Sequence, residues 1–334
     1  HFFQHLLEGK LVLYYHNAFY FVFPIIGLTL VYLIIKYVIR KKVSHGIPST
    51  LFAISKKKGI IRKYQMFASI LTAPLTVGFG GSVGLDGPTV STGAAISSNI
   101  SRMFHMNQST RNLLIGCAAA GALSSIFKAP IAAIIFAIEV FSLDLTIASM
   151  LPLLLASLSA IITSYFFFGN DVLLPFKLID PFRIADIPFY LVLGLFAGLT
   201  SIYFTEAYER IQKFFDKIES PIKRLVIGGI GIGILVYLVP PLYGEGFDVI
   251  NNLILGKPEV VLENNILNLD LTNVWMVIGL LAGLVFFKII ASALTFGAGG
   301  VGGIFAPTLF MGSIMGNCIA KIINNIGVFN NQIS

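Results

Sequence analysis

Between Tyr64 and Ser101 a single side chain carries charge, Asp86, in the run Gly84-Leu85-Asp86-Gly87-Pro88. A carboxylate in such apolar surroundings is expensive and marks a functional site by default. Pro88 sits where a helix would take its first turn, a position at which a missing N–H costs nothing. An Asp at that point can cap the helix. It can also act as a tethered anion, held against free N–H groups and the positive end of the helix dipole where a mobile anion would otherwise sit. Protonation would remove its charge and release the place. A cap alone leaves the flanking glycines unexplained, since these let backbone approach closely.

Three further runs have the same form: Ser44-His45-Gly46-Ile47-Pro48, Phe127-Lys128-Ala129-Pro130 and Gly303-Ile304-Phe305-Ala306-Pro307. In hydrocarbon, unmatched N–H groups at a helix start are costly unless something accepts their hydrogen bonds. Converging starts can replace an anion's hydration without a full counter-charge, so that the ion binds and also leaves. Singly, each Pro need do no more than begin a buried helix. Two of them, however, belong to a duplicated sentence. A shift of 219 residues, Pro88 to Pro307, carries Gly80, Gly81, Gly84, Thr89 and Gly93 onto Gly299, Gly300, Gly303, Thr308 and Gly312. Repeated apolar segments interrupted by Gly and Pro point to the binding site of a membrane transport protein.

Other chemistries find little support. His1 and His5 have the spacing of a helical metal pair but no carboxylate or Cys beside them, which leaves the ligand set short. Cys117 and Cys318 stand alone in small-residue contexts and suggest neither a disulfide framework nor a metal site. No HExxH or Gly-x-Ser-x-Gly occurs, and Asp86 has no second aspartate in a comparable setting, so no nucleophile–base pair is in view. Neither an enzyme, a bound cofactor nor a metal is expected.

The elements that must position these residues are helices, predicted near 11–41, 47–57, 62–79, 87–104, 110–124, 129–142, 147–168, 187–218, 222–240, 272–297 and 304–326. Polar linkers at Arg102 to Arg111, Gly169 to Asp186 and Gly244 to Asn273 separate some of them, and Pro240 to Phe247 reads as an irregular turn. The charged stretch 203–224 reads as a helix end projecting into water. Gly169 to Asp186 lies between the two glycine sentences and reads as a seam. It divides the chain into a first half, 1–170, and a second half, 171–334.

The solvent for these helices is lipid. The 334-residue chain is 56% hydrophobic and 12% charged, against roughly a quarter charged in soluble domains. Its mean hydropathy is +0.86. Runs such as Leu145 to Phe168 are long enough to cross a hydrocarbon core of about 30 Å, and beta-barrel alternation is absent. The fold class is therefore an all-α polytopic membrane protein with broken and re-entrant helices. The net charge of +7 gathers at Lys36, Arg40, Lys41, Lys42, Lys56, Lys57, Lys58, Arg62 and Lys63. The positive-inside rule puts that loop in the cytoplasm, and a nucleic-acid partner is not implied.

At these residues the chain resembles the CLC family of chloride channels and proton-coupled chloride antiporters. The family motifs GSGIP, G-(K/R)-EGP and GxFxP correspond to SHGIP at 44–48, GLDGP at 84–88 and GIFAP at 303–307. The stretch FKAPIAAIIFAIEV, ending at Val140, resembles the family segment after the gate. The resemblance implies an inverted-repeat bundle with an anion site at the membrane midplane. It also implies a homodimer in the lipid bilayer with one chloride pathway per subunit, in a bacterial plasma membrane. It places Asp86 at the gate, and Gly46, Ile47, Gly87, Ile304, Phe305 and Ala306 around the anion, with His45 at the coordinating serine.

Four departures bear on activity. The gate is Asp rather than Glu, one methylene shorter. His45 replaces Ser, and either its N–H donates to the anion or the ring turns away and backbone alone coordinates. Val140 stands where antiporters carry a proton-relaying glutamate, with Glu139 adjacent. The family pattern continues past Ser334 to a tyrosine that closes the site, and it begins before residue 11, so the chain is expected to be incomplete. The missing relay favours a passive, chloride-selective channel gated by Asp86. The alternative is a chloride/proton antiporter that uses Glu139 or water in place of the relay.

Overall fold

The computed structural model describes residues 16–41, 43, 46–144, 146–170, 172–175, 184–257, 261 and 273–326. The first helix, α1 (His16–Leu33), widens into a π turn over Ile34–Ile39 and stops at Arg40, which adopts φ +54°. Then come α2 (Gly46–Lys56), α3 (Gln65–Gly78), α4 (Asp86–Met103), α5 (Gln108–Phe127), α6 (Pro130–Phe141) and α7 (Ile147–Phe168). After a single 3-10 turn at Ile184–Asp186 follow α8 (Ile187–Asp216) and α9 (Pro221–Leu238). A second such turn at Pro240–Leu242 leads to α10 (Phe247–Ile254), α11 (Val274–Gly297) and α12 (Phe305–Ile326). Seven stretches within these helices are long and apolar enough to cross a bilayer: Phe19–Ile39, Gln108–Phe127, Ile147–Phe168, Ile187–Asp216, Pro221–Leu238, Val274–Gly297 and Phe305–Asn325.

Helix α10 corrects the expectation of an unbroken linker from Gly244 to Asn273. Phe247, Val249, Ile250 and Leu253 are buried, and this apolar face packs on α12. Eight residues flanked by Pro and Gly are too few for helical periodicity to stand out from turn signals. The charged stretch also resolves further. Helix α8 ends at Asp216, and Arg224 folds back to donate to the carbonyls of Ile218 and Asp216. His1 and His5 lie outside the described residues, as does half of the expected seam, 171 and 176–183.

One packing order occurs twice. Helix α1 packs on α3, α3 on α4 and α2 on α4; correspondingly α9 packs on α11, α11 on α12 and α10 on α12. Helices α1 and α9 then pack against each other. The glycine sentences lie where the two sets meet. Thr76, near the end of α3, accepts a hydrogen bond at Oγ1 from the Val301 N–H (3.1 Å), and Thr295, near the end of α11, accepts one from the Ser82 N–H (3.2 Å). The 219-residue shift exchanges these two bonds, so the halves bind each other reciprocally. Each threonine hydroxyl also donates to its own helix, to Thr72 and Ala291 respectively. Backbone that leaves a helix at this depth therefore finds partners inside the protein, as a low-dielectric interior demands.

The apolar core falls into two main parts. The larger one joins Leu28 of α1 to Ile232 and Val236 of α9, Leu281 and Ile289 of α11, and Phe310 and Ile314 of α12. A smaller one holds Val90, Ala119, Ala120, Leu123, Ala137 and Leu153, where small residues let α5 lie close to its neighbours. Helix α8 is different. Phe215 is its only buried residue; Tyr203, Phe204 and Ala207 lean on the larger core, while Leu191, Leu195, Leu199 and Ile202 are exposed as lipid-facing side chains would be.

Candidate functional site

Gly84 and Gly303, equivalent in the two sentences, form an isolated antiparallel bridge and exchange both backbone bonds at 2.9 and 2.8 Å. On either side of that bridge begin α4 at Asp86 and α12 at Phe305. Gly46, at the start of α2, closes the third side. A Cβ built on Gly87 would lie 2.9 Å from the Gly303 Cα and 3.4 Å from the Gly46 Cα. Real side chains do not tolerate the shorter contact, so glycine is required for three backbones to meet. Three of the four predicted X-Pro starts thus converge. The fourth, at Pro130, reaches the group through a ring: Phe127 packs edge-to-face on Phe305 at 5.8 Å and on Phe247 at 6.2 Å. Phe136 of α6 completes this aromatic wall at 5.6 Å from Phe305.

Asp86 lies at the centre, 1% exposed. Its own backbone N–H and that of Ala306, at the start of α12, face the carboxylate. Its Oδ2 is buried with no hydrogen-bond partner among the described residues. A carboxylate from one helix start is therefore presented to the N–H groups of another. Buried carboxylates ordinarily satisfy both oxygens, and Asp86 is the one carboxylate among the described residues with a buried oxygen left unpartnered.

The remaining expected residues fall as follows. Gly46, Gly87 and Ala306 are buried, Ile47 and Phe305 half-buried, and Ile304 is 36% exposed. His45 lies outside the described residues. Val140 is half-buried on α6, and Glu139 points to the exposed side of that helix.

Two charged residues at the site were not anticipated. Glu245 Oε1 accepts the N–H of Leu85, the residue before Asp86, at 2.6 Å. Lys288, wholly buried in α11, donates from Nζ to the Gly244 carbonyl at 2.9 Å and lies over the Phe310 ring at 4.6 Å. Lys288 was detectable by the criterion that singles out Asp86, because no other charged side chain occurs between Asn273 and Ala320.

Paired helix starts, discontinuous spans and a two-fold bonding pattern define an inverted-repeat integral membrane protein. Residues 27–333 match the voltage-gated chloride channel family, and the chain belongs to it. It is 30% identical over 295 residues to a putative chloride channel protein, ClcB-like, of Ralstonia nicotianae, covering 87% of this chain and 63% of that protein. It is also 30% identical over 257 residues to the H+/Cl− exchange transporter ClcA of Vibrio cholerae, covering 74% of this chain and 51% of that one. The chain thus spans between about half and two-thirds of these relatives. Among solved structures, a slow cyanobacterial Cl−/H+ antiporter superposes with a TM-score of 0.74 at 20% identity, over 97% of this chain and 72% of that one. A CLC-type fluoride/proton antiporter gives 0.68 at 22% identity, over 92% of this chain and 71% of that one.

Proposed function

We propose that this protein carries chloride across a bacterial plasma membrane in exchange for protons, with Asp86 as both gate and proton carrier. The observation that carries the proposal is the Asp86 carboxylate, buried, beside the α12 amide of Ala306 and with one oxygen unpartnered among the described residues. In its charged form it competes with the anion for the same donors. Once protonated it loses that hold, and chloride takes the N–H groups of Ile304, Phe305 and Ala306, with the backbone of Gly46, Ile47 and Gly87 on the facing sides. His45 adds either an N–H or nothing to this shell. Coupling follows because one group cannot hold the proton and exclude the anion at once. The kinship with a protein named as an H+/Cl− exchange transporter supports this over passive conduction. We place the protein in a homodimer with one pathway per subunit; cross-linking in the membrane tests that assembly.

The experiment is a proteoliposome assay. A chloride gradient should drive protons uphill in fixed ratio to chloride, and dissipation of the gradient with no proton movement would overturn the exchange. One observation favours that second reading, uncoupled conduction: Val140 offers no ionisable group on α6, and Glu139 beside it faces outward.

A further inference from the structure

The structure holds two carboxylates at helix starts rather than one, and the repeat relates the places they occupy. The 219-residue shift carries Leu85 onto Ile304 and the start of α4 onto the start of α12. A shift of 200 residues carries Gly46, where α2 starts, onto Gly246, which precedes α10; both have positive φ, +53° and +89°. It also carries His45 onto Glu245. The N–H of Leu85 and that of Ile304 are therefore at equivalent positions, and Glu245 is the side chain found at the first of them. At Leu85 the donor is taken, at 2.6 Å, by Glu245. Behind that turn the wholly buried Lys288 holds the carbonyl of Gly244 at 2.9 Å. Among the described residues, the charged groups acting on Glu245 are Lys288, Asp86 and Asp248.

Resting on the chloride reading above, we propose that Glu245 is a built-in anion. It fills the second of two repeat-related anion places, is balanced there by Lys288, and leaves only the Ile304 side open to a mobile halide. Such a fixed occupant makes a two-fold framework carry ions through one side. It also sets a negative charge beside the gate that opposes a second halide.

The test is equilibrium binding of bromide to the purified chain in detergent. Glu245→Ala frees the Leu85 N–H and leaves Lys288 without its counter-charge, so one additional bromide per chain should bind. Glu245→Ala with Lys288→Met should lose that additional ion. Glu245→Gln keeps an acceptor for Leu85 but removes the charge, so the count should stay as in wild type while the affinity of the existing place rises roughly tenfold. A folded Glu245→Ala that binds the wild-type number overturns the proposal. Should Glu245→Ala not fold, unchanged affinity in Glu245→Gln overturns it equally. Wild-type protein that binds no bromide overturns the transport reading and this one with it. Normal wild-type exchange alongside indistinguishable variants removes only the role of Glu245.

Discussion

Asp86 is buried beside the backbone N–H of Ala306, with its Oδ2 unpartnered among the described residues, and on the proposed reading it is the gate. Its consequence has a definite sign. As pH falls, the neutral form gains population and gives up the α12 amides, so wild-type chloride flux should rise with acidity. Asp86→Ala removes the competitor at every pH, and its flux should be high and flat across the same range. A variant flux that keeps the wild-type pH response removes Asp86 as gate. The glycines around it are equally exposed to test. In Gly303→Ala the new Cβ would meet the Gly87 N at 2.8 Å and its Cα at 3.0 Å. Forced overpacking of this kind costs typically 1–3 kcal/mol, so we expect a lowered melting temperature together with lost flux. Asp86 was legible in the sequence because it is alone in its charge. Lys288 is alone in the same way, but its meaning lay in a carbonyl 44 residues earlier. Glu245 acts on a donor 160 residues earlier, and inside a Pro- and Gly-rich turn it resembled ordinary loop polarity.

At the scale of elements, the reciprocal threonine bonds join the end of each half's long helix to the glycine sentence of the other. Thr76→Val leaves the Val301 N–H buried without an acceptor, and Thr295→Val does the same to Ser82. Each loss should cost about 1–3 kcal/mol, the penalty for a buried unsatisfied donor. Thermal unfolding in detergent measures it, and similar losses at the two sites are the expected mark of their equivalence. An unaffected melting point in both variants would show that the bonds are incidental. Most helices were readable beforehand, since apolar runs of membrane length, Pro at the start and Gly after the end leave few other solutions. Helix α10 was not, being short and hidden between breakers. Nor could the sequence show which starts meet: the repeat told that 84 and 303 are alike, but not that they touch.

For the whole molecule, α8 makes the boundary between lipid and water measurable. Its 30 residues extend about 45 Å at 1.5 Å per residue, well beyond a hydrocarbon core of about 30 Å. The excess lies at the charged end, where Glu206 pairs with Arg210 and Glu209 with Lys213, all exposed. A cysteine at Glu209 should react with a membrane-impermeant maleimide applied to that face, and one at Leu195 should not. Reaction at Leu195 would place this helix out of the bilayer. The ion pairs themselves matter little, because exposed pairs contribute only about 0–1 kcal/mol.

The Gly84–Gly303 bridge has a further effect on how the protein can move. Two backbones clasped at a single rung from both sides cannot part without snapping both bonds at once, and both glycines are buried. The main chain beside Asp86 is thus held like a buckle, which opposes large hinge movements there. If Asp86 is the gate proposed above, opening and closing fall to what hangs from the frame, an acid of two rotatable bonds, and turnover should respond more to that side chain's length and charge than to the looseness of the helices that carry it.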